Sequence, residues 1–488
     1  MALIMCISLY TVRAILNLLG VTDYGIYNVV GGVVGMFSFL SGTLATSSQR
    51  YFSIAIADND IEKLRKQFSL NITVYAYIIL VAVALLETIG LWFLNYRVNI
   101  PAERLYAANV VYQITIVTFA IQLIAVPYNA MVISYEKMSA FAYIGICEAI
   151  FKLAIVAVLT FISFDKLIIY GFLILVSNIG TTGAYIIYCR RKLKGSSYQY
   201  YWNKAESLSL FKFTGWHFLG TISVVIRGQG INLLISVFFS PAVNAARAIA
   251  YQVFTQISLL ASNFFVAVKP QMYKAYANKE FSALHTLINR STAICVFLVS
   301  ITSVPFLLNA EYLLAIWLKN IPDMAVPFTI LVLINGIIDS TSNSTICPAL
   351  ATGNIKRFYL ATGTLYLLNL PISYVFLKLG FAPTVTLFVS IVVSIIAVIT
   401  RAYILKSLIS MPFNNYIRYV SKLFIITIVI LAVCYVTTGF IANDFVRLIF
   451  STGLSILFHV GLYYVMILST EERGIIRNYF KQKICRKI

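Results

Sequence analysis

Charged residues stand within the long apolar stretches of this 488-residue chain. A charge inside a membrane-spanning helix is costly, by about 3 kcal/mol, and tends to mark the path of a substrate or an ion. The residues in question are Arg13, Glu87, Glu148, Lys152, Arg227, Arg247 and Asp339. Glu148 and Lys152 are four positions apart on one helix face, so we expect them to form a structural ion pair. The remaining arginines then outnumber the remaining carboxylates, and we expect the apolar interior to be cationic.

Each arginine belongs to a polar face of its predicted helix. The three faces hold Tyr10, Arg13 and Asn17; Trp216, Gly220, Ser223, Arg227 and Gly230; and Asn244, Arg247, Tyr251, Thr255, Ser258 and Ser262. Such a face cannot lie against lipid, so it packs on another helix or lines a water-filled cavity. We interpret Arg13, Asn17, Arg227, Arg247 and Tyr251 as candidate substrate-binding residues in a cavity. Structural pairing of the arginines with carboxylates is the alternative.

The two remaining carboxylates are candidates for binding a coupling ion. Asp339 shares a helix face with Asn335 and Ser342, and could bind H⁺ or Na⁺ or pair with an arginine. Glu87 lies near the outer end of its helix, where it could also reach the membrane interface. In the second predicted helix, Gly31 and Gly35 belong to a face that suits close packing or a sliding contact.

Other kinds of site are not indicated by the sequence. His217 and His459 are lone histidines in helices, and we expect each to have a hydrogen-bonded structural role. There is no cluster with metal-ligand spacing, no nucleophile elbow and no phosphate-binding loop. We therefore expect no catalytic residue, no cofactor and no metal site.

Membrane-spanning helices must position these residues. The chain is 60% hydrophobic and only 11% charged, whereas about a quarter of the residues of a soluble domain are charged. Fourteen apolar runs are long enough to cross a bilayer: 1–19, 25–46, 70–94, 105–127, 139–163, 167–189, 213–237, 244–268, 287–308, 326–347, 358–377, 384–405, 419–440 and 446–468. Met1 opens directly into the first run, so we expect the natural start to lie upstream. The connecting loops are too short to bury a core of their own, which excludes a soluble catalytic domain.

Basic residues set the predicted orientation. The net charge is +20, but the basic residues lie in short loops rather than on one face, which argues against nucleic-acid binding. With the N-terminus in the cytoplasm, most of the 37 Lys and Arg residues, Arg401 among them, fall in cytoplasmic segments. By the positive-inside rule, both termini are predicted to be cytoplasmic.

An internal repeat divides the chain. The following pairs are separated by nearly the same number of residues: Gln49-Arg50-Tyr51 with Gln271-Met272-Tyr273, Trp92 with Trp317, Asn99-Ile100-Pro101 with Asn320-Ile321-Pro322, and Pro127 with Pro348. We predict an all-α membrane protein with two six-helix lobes of the same orientation and two extra C-terminal helices. The predicted boundaries are 1–189 for the first lobe, 190–212 for a cytoplasmic linker, 213–407 for the second lobe, and 408–488 for the last helices and a basic tail.

The chain resembles the Wzx-type flippases of O-antigen and capsule biosynthesis, within the multidrug/oligosaccharidyl-lipid/polysaccharide (MOP) exporter superfamily. The resemblance covers nearly the whole chain. Its most recognisable stretches are LGVTDYGIYNVVGGVV (19–34), SSQRYFS (47–53), ETIGLWFLN (87–95), PYNAMVISYEKMSAF (127–141) and SPAVNAARAIAYQV (240–253). They are lineage marks, and none is a catalytic signature.

The resemblance implies a fold like that of the multidrug and toxin extruders (MATE), with two lobes around a cavity that opens alternately to each side. It implies a non-enzymatic flippase of the bacterial cytoplasmic membrane, whose substrate is an oligosaccharide on an undecaprenyl diphosphate carrier. Membrane lipids, H⁺ or Na⁺, and a polysaccharide polymerase machinery are the implied partners. Arginines in the cavity would bind the diphosphate bidentately. The alternatives are a MATE-type exporter coupled to Na⁺ or H⁺, which would favour an acidic cavity, and a membrane-embedded polymerase or ligase.

Overall fold

The computed structural model of this chain is helical throughout the segments that it describes, with short connecting loops. The described residues are 11, 14–15, 18–20, 23–24, 26–27, 30–32, 34–35, 37–97, 100–161, 164–239, 241–318, 321–467 and 473–474. Within them, 12 helical segments are long and apolar enough to cross a membrane. These segments coincide with the predicted apolar runs from 70–94 onwards. Helices are expected there, because a lipid-exposed segment must satisfy its backbone hydrogen bonds internally.

The residues Met1–Thr221 belong to one compact unit, called here the N-terminal unit. Its helices are α1 (Ser38–Ala57), α2 (Ile61–Leu85), α3 (Leu91–Arg97), α4 (Leu105–Ser134), α5 (Met138–Thr160), α6 (Lys166–Lys192) and the first part of α7 (Lys204–Phe238). A π-helix, Leu86–Gly90, joins α2 to α3, and a 3-10 helix, Ala102–Arg104, precedes α4.

The residues Ile222–Ile488 belong to a second compact unit, the C-terminal unit. After α7 come α8 (Pro241–Ala277), α9 (Phe281–Leu308), α10 (Ala310–Trp317), α11 (Ala325–Asp339), α12 (Ser342–Thr352), α13 (Lys356–Lys378), α14 (Val385–Ile409), α15 (Phe413–Thr438) and α16 (Asp444–Met466). The predicted break at Ser240-Pro241 is confirmed, since α8 begins at that proline. The predicted domain boundaries, including the linker at 190–212, stay predictions.

Two equivalent turns occur at matching places in the internal repeat. Asn59 has a φ of 54° between α1 and α2, and Lys279 has a φ of 59° between α8 and α9. Each is followed by the acidic N-cap residue of the next helix, Asp60 or Glu280. The sequence motifs 49–51 and 271–273 lie within helices, because α1 and α8 continue past the predicted apolar runs 25–46 and 244–268 to Ala57 and Ala277.

An ion-pair network holds one end of the N-terminal unit together. Arg104 Nε donates to Asp23 Oδ1 at 2.8 Å, and its Nη1 donates to Asp165 Oδ2 at 2.7 Å. Asp165 also caps α6 by accepting from the Leu167 backbone N–H at 3.0 Å. Nearby, the Tyr27 and Tyr170 rings pack edge-to-face with centroids 4.7 Å apart. These contacts fix the segment around residues 23–27 against the starts of α4 and α6.

Helix α16 is docked on α9 by polar contacts. Asn309 Nδ2 donates to Ser451 Oγ at 2.9 Å, and Arg447 Nε donates to Asn309 Oδ1 at 3.1 Å. Farther along α16, the buried His459 ring hydrogen-bonds through Nδ1 to the Ser455 carbonyl oxygen at 2.8 Å. His459 therefore belongs to the packing of the appended helices, as its lone position in the sequence suggests.

Candidate functional site: a buried arginine cluster

Close approach between α7 and α13 brings Arg227 to an aromatic ring. A Cβ added to Gly363 would lie 3.1 Å from Ser223 Oγ, and one added to Gly230 would lie 2.6 Å from a leucine side chain of α13. Between these two contacts, the guanidinium carbon of Arg227 lies 4.5 Å from the centre of the Tyr366 ring. The absence of a side chain at the two glycines thus permits the helix separation at which Arg227 stacks on Tyr366.

A second guanidinium group reaches the same tyrosine from α14. Arg401 Nη2 donates to Tyr366 Oη at 2.9 Å, and Arg401 Nε donates to the Ala397 carbonyl oxygen at 3.1 Å. The Arg401 residue is only 1% exposed. Its assignment to a cytoplasmic segment stays a prediction, but α14 continues to Ile409 and buries the residue. Arg401 lies inside the predicted apolar run 384–405, and this position could have marked it as a buried charged residue.

One carboxylate lies beside this pair of arginines. Arg227 Nη2 is 3.8 Å from Asp339 Oδ2, which is longer than a hydrogen bond. Asn335 Nδ2 donates to the same Asp339 oxygen at 3.1 Å. The exposed fractions of the side chains are 15% for Arg227 and 21% for Asp339. Asp339 therefore pairs loosely with Arg227, and both groups keep some access to their surroundings.

Arg247 adds a third guanidinium group from α8. It donates through Nη1 to Asn232 Oδ1 on α7, and its guanidinium carbon lies 4.5 Å from the centre of the Tyr251 ring. The residue is 4% exposed, and its interaction with the charge of Arg227 is repulsive. The structure thus brings together the predicted residues Arg227, Arg247, Tyr251 and Asp339. With Arg401 and Tyr366 they form what we call the arginine cluster.

Several buried polar atoms of the cluster and of the adjacent Asn335 have no hydrogen-bond partner. They are Arg227 Nη1, Arg247 Nε, Arg401 Nη1, Asp339 Oδ1 and Asn335 Oδ1. A buried donor or acceptor left unpaired costs about 1–3 kcal/mol, and more if it is charged. Among the described residues, the cluster therefore combines three guanidinium groups, one carboxylate and spare N–H donors. This arrangement suits an anion with several oxygens, because guanidinium groups bind such anions with paired hydrogen bonds.

Solved structures similar to this chain are named as MATE and MOP-superfamily proteins. A MATE in the bent conformation is 13% identical to this chain, with a TM-score of 0.67. The match covers 83% of this chain and 93% of the MATE chain. A MOP-superfamily transporter from Pyrococcus furiosus, described by the reverse polarity of its binding pocket, is 13% identical with a TM-score of 0.66, covering 83% and 92%. A mutant of the Vibrio cholerae MATE transporter VcmN is 16% identical with a TM-score of 0.62, covering 83% and 93%.

The chain has the MATE fold. The predicted fold class is therefore confirmed, and the chain is a multi-pass membrane protein. Neither a protein-family model nor a curated protein matches the sequence.

The other predicted residues of this MATE-fold chain lie elsewhere or outside the described residues. Glu87 belongs to the π-helix of the N-terminal unit, where its Oε2 accepts from Gln113 Nε2 at 3.0 Å. On α5, Lys152 Nζ lies 2.6 Å from Glu148 Oε1, so the structure contains this ion pair. Arg13 and Asn17 lie outside the described residues. Within the described part of the chain, no group of three or more His, Cys, Asp or Glu could hold a metal ion.

Proposed function

We propose that this protein is a flippase that moves an undecaprenyl-diphosphate-linked oligosaccharide from the cytoplasmic to the periplasmic leaflet of a bacterial cytoplasmic membrane. The arginine cluster carries the proposal, because its guanidinium groups exceed its carboxylates and keep unpaired N–H donors. A diphosphate presents several charged oxygens and forms strong, paired hydrogen bonds with arginine. It is the anion that a lipid-linked oligosaccharide would bring to membrane depth.

The members of the cluster have different roles in this proposal. Arg227 is the partly exposed arginine, and its Nη1 has no hydrogen-bond partner. It therefore contacts the diphosphate directly. Arg401 donates a hydrogen bond to Tyr366 and so positions the ring on which the Arg227 guanidinium stacks. Arg247 adds positive charge from α8. Asp339 competes with the substrate for Arg227, which keeps binding reversible in a carrier that must release its cargo.

The chemistry of the substrate explains why transport requires a protein. Each sugar hydroxyl that enters hydrocarbon without a hydrogen bond costs several kcal/mol, about 4–8 on the strictest scale. A few sugars and a diphosphate would together cost tens of kcal/mol. A carrier avoids this cost by giving the head group a polar path while the isoprenoid chain stays in the bilayer. We propose alternating access by rocking of the two units, with both termini in the cytoplasm.

A MATE-type exporter of cations, coupled to Na⁺ or H⁺, is the alternative function. An organic cation would favour an acidic site, whereas the arginine cluster holds a single carboxylate, Asp339. The fold is compatible with sites of different charge, since a Pyrococcus furiosus transporter with this fold is described by the reverse polarity of its pocket. Membrane lipids, a coupling ion and a polysaccharide polymerase are the further partners that we propose.

Deletion of the gene from its source organism tests the proposal. We expect loss of the surface polysaccharide and accumulation of the lipid-linked oligosaccharide in the membrane, both reversed by the wild-type gene. The accumulated glycan should be oxidised by impermeant periodate in inside-out vesicles but not in intact spheroplasts. Normal surface polysaccharide together with increased sensitivity to a cationic dye such as ethidium would instead favour the exporter.

A further inference from the structure

A separate cavity lies within the N-terminal unit. It has a volume of about 230 Å³ and is bounded by the segment 27–41, α4 and α6. The lining residues that matter here are Tyr27, Gly31, Gly35, Thr115, Phe119 and Gln122. None of the described lining residues carries a charge, so this cavity differs chemically from the arginine cluster. We call it the neutral cavity.

The neutral cavity offers hydrogen-bond acceptors to a ligand. Thr115 Oγ1 and Thr118 Oγ1 donate to backbone carbonyl oxygens of α4 at 2.7 and 2.8 Å, so their remaining capacity is to accept. Gln122 Nε2 donates to Asn178 Oδ1 at 2.9 Å, and Asn178 Nδ2 is itself held by the Ile174 carbonyl oxygen. This chain of bonds fixes the side-chain amide of Gln122 and leaves its carbonyl oxygen as an acceptor.

The predicted close packing of the glycine face is not seen among the described residues. A Cβ added to Gly31 or Gly35 would meet no described atom within 4 Å. These glycines keep space open beside Tyr27 and Phe119 instead of bringing two helices together. The cavity thus combines aromatic surface, hydroxyl groups and a fixed amide, which is the usual make-up of a small-ligand site.

The size and polarity of the neutral cavity fit one sugar ring. Sites for drug-sized ligands have about 300–1,000 Å³, and this cavity of 230 Å³ has room for a smaller molecule. Hydroxyl groups of a sugar would donate to the fixed acceptors, and its C–H face would pack on an aromatic ring. A metal cation is disfavoured, because the lining residues that the structure describes include no carboxylate.

We propose that the neutral cavity binds a sugar residue of the transported glycan. This inference rests on the proposed flippase function and adds a second contact region to it. The arginine cluster recognises the carrier diphosphate, which is common to many glycans, and the neutral cavity recognises the sugar. The Asp23–Arg104–Asp165 network and the Tyr27–Tyr170 contact keep the cavity walls in place.

Filling the cavity without disturbing the fold provides the test. Gly35→Leu would place a side chain into the cavity, with no described atom in the way of its Cβ. Gly32→Leu is the matched control, because it makes the same change on the same segment with equally free space but outside the cavity lining. Gln122→Leu removes the fixed acceptor as a second variant. The probes are the lipid-linked oligosaccharide extracted from the source organism and bare undecaprenyl diphosphate, with Kd measured by microscale thermophoresis on purified protein.

We expect Gly35→Leu and Gln122→Leu to weaken binding of the lipid-linked oligosaccharide at least tenfold and to leave binding of undecaprenyl diphosphate unchanged. Gly32→Leu should bind both probes like the wild type. If the variants weaken binding of both probes equally, or of neither probe, the sugar assignment is overturned while the flippase proposal stands. Failure of the wild type to bind either probe would overturn the proposed function itself, and the sugar assignment with it.

Discussion

Replacement of Arg227 by glutamine is expected to abolish glycan export. Arg227 is the partly exposed guanidinium of the cluster, and each hydrogen bond to a charged group contributes about 1.5–3 kcal/mol. Loss of a paired contact with a diphosphate should therefore lower affinity by a factor of about 100 or more. The measurements are surface polysaccharide on cells that express Arg227→Gln and the Kd for undecaprenyl diphosphate. Immunoblotting of membranes should show wild-type amounts of the protein.

Two further variants make this prediction specific. Arg227→Lys keeps the charge but loses the planar fork and its stacking on Tyr366, so we expect an intermediate loss of about tenfold. Lys212→Gln removes an exposed cation from the same helix and should export normally. Full export by Arg227→Gln would show that Arg227 does not belong to the binding site. An equal loss of export in Lys212→Gln would show that the effect comes from the total charge of the helix.

Replacement of Arg401 by methionine is expected to weaken binding of the diphosphate without lowering the stability of the protein. Arg401 is almost fully buried next to another guanidinium group and has no carboxylate partner among the described residues. Burying such a charge costs several kcal/mol, and apolar replacements of buried ionic groups are often neutral or stabilising by about 1–4 kcal/mol. Methionine has a similar unbranched shape. We therefore predict an unchanged or increased Tm, with affinity for undecaprenyl diphosphate reduced about tenfold.

The Tyr366 hydroxyl group provides the control for the Arg401 prediction. Arg401→Met leaves that hydroxyl without its donor from α14, a loss of about 1 kcal/mol that the double variant with Tyr366→Phe removes. The double variant should be at least as stable as Arg401→Met and bind the diphosphate equally weakly. If Arg401 serves only packing, Arg401→Met will lower Tm and leave the Kd unchanged, contrary to our account.

The helices were predictable because the bilayer imposes a length and an apolar composition on each span. The runs from 70–94 onwards correspond to described helices, and Pro241 marked the boundary between α7 and α8. Helix ends were predicted less well. The motifs 49–51 and 271–273 lie within α1 and α8, because a helix can continue past the end of its apolar run while its backbone hydrogen bonds still form.

The candidate site was only partly predictable. Arg227, Arg247 and Asp339 stood out because charge is rare in apolar runs, but only the structure shows that Arg227 and Asp339 lie 3.8 Å apart. Arg401 was assigned to a cytoplasmic segment because it lies near the end of its apolar run. Tyr366 gave no signal, since an aromatic residue in an apolar run is unremarkable. The neutral cavity was also hidden, because spaced glycines equally indicate tight packing.

The central claim is that the arginine cluster binds an anion rather than a cation. Isothermal titration calorimetry of the purified protein with inorganic pyrophosphate and with tetraphenylphosphonium tests it directly. Our account predicts that pyrophosphate binds to the wild type, more weakly at high salt and not detectably in Arg227→Gln, and that tetraphenylphosphonium does not bind. Binding of tetraphenylphosphonium that is lost in Asp339→Asn, with no heat from pyrophosphate, would contradict it.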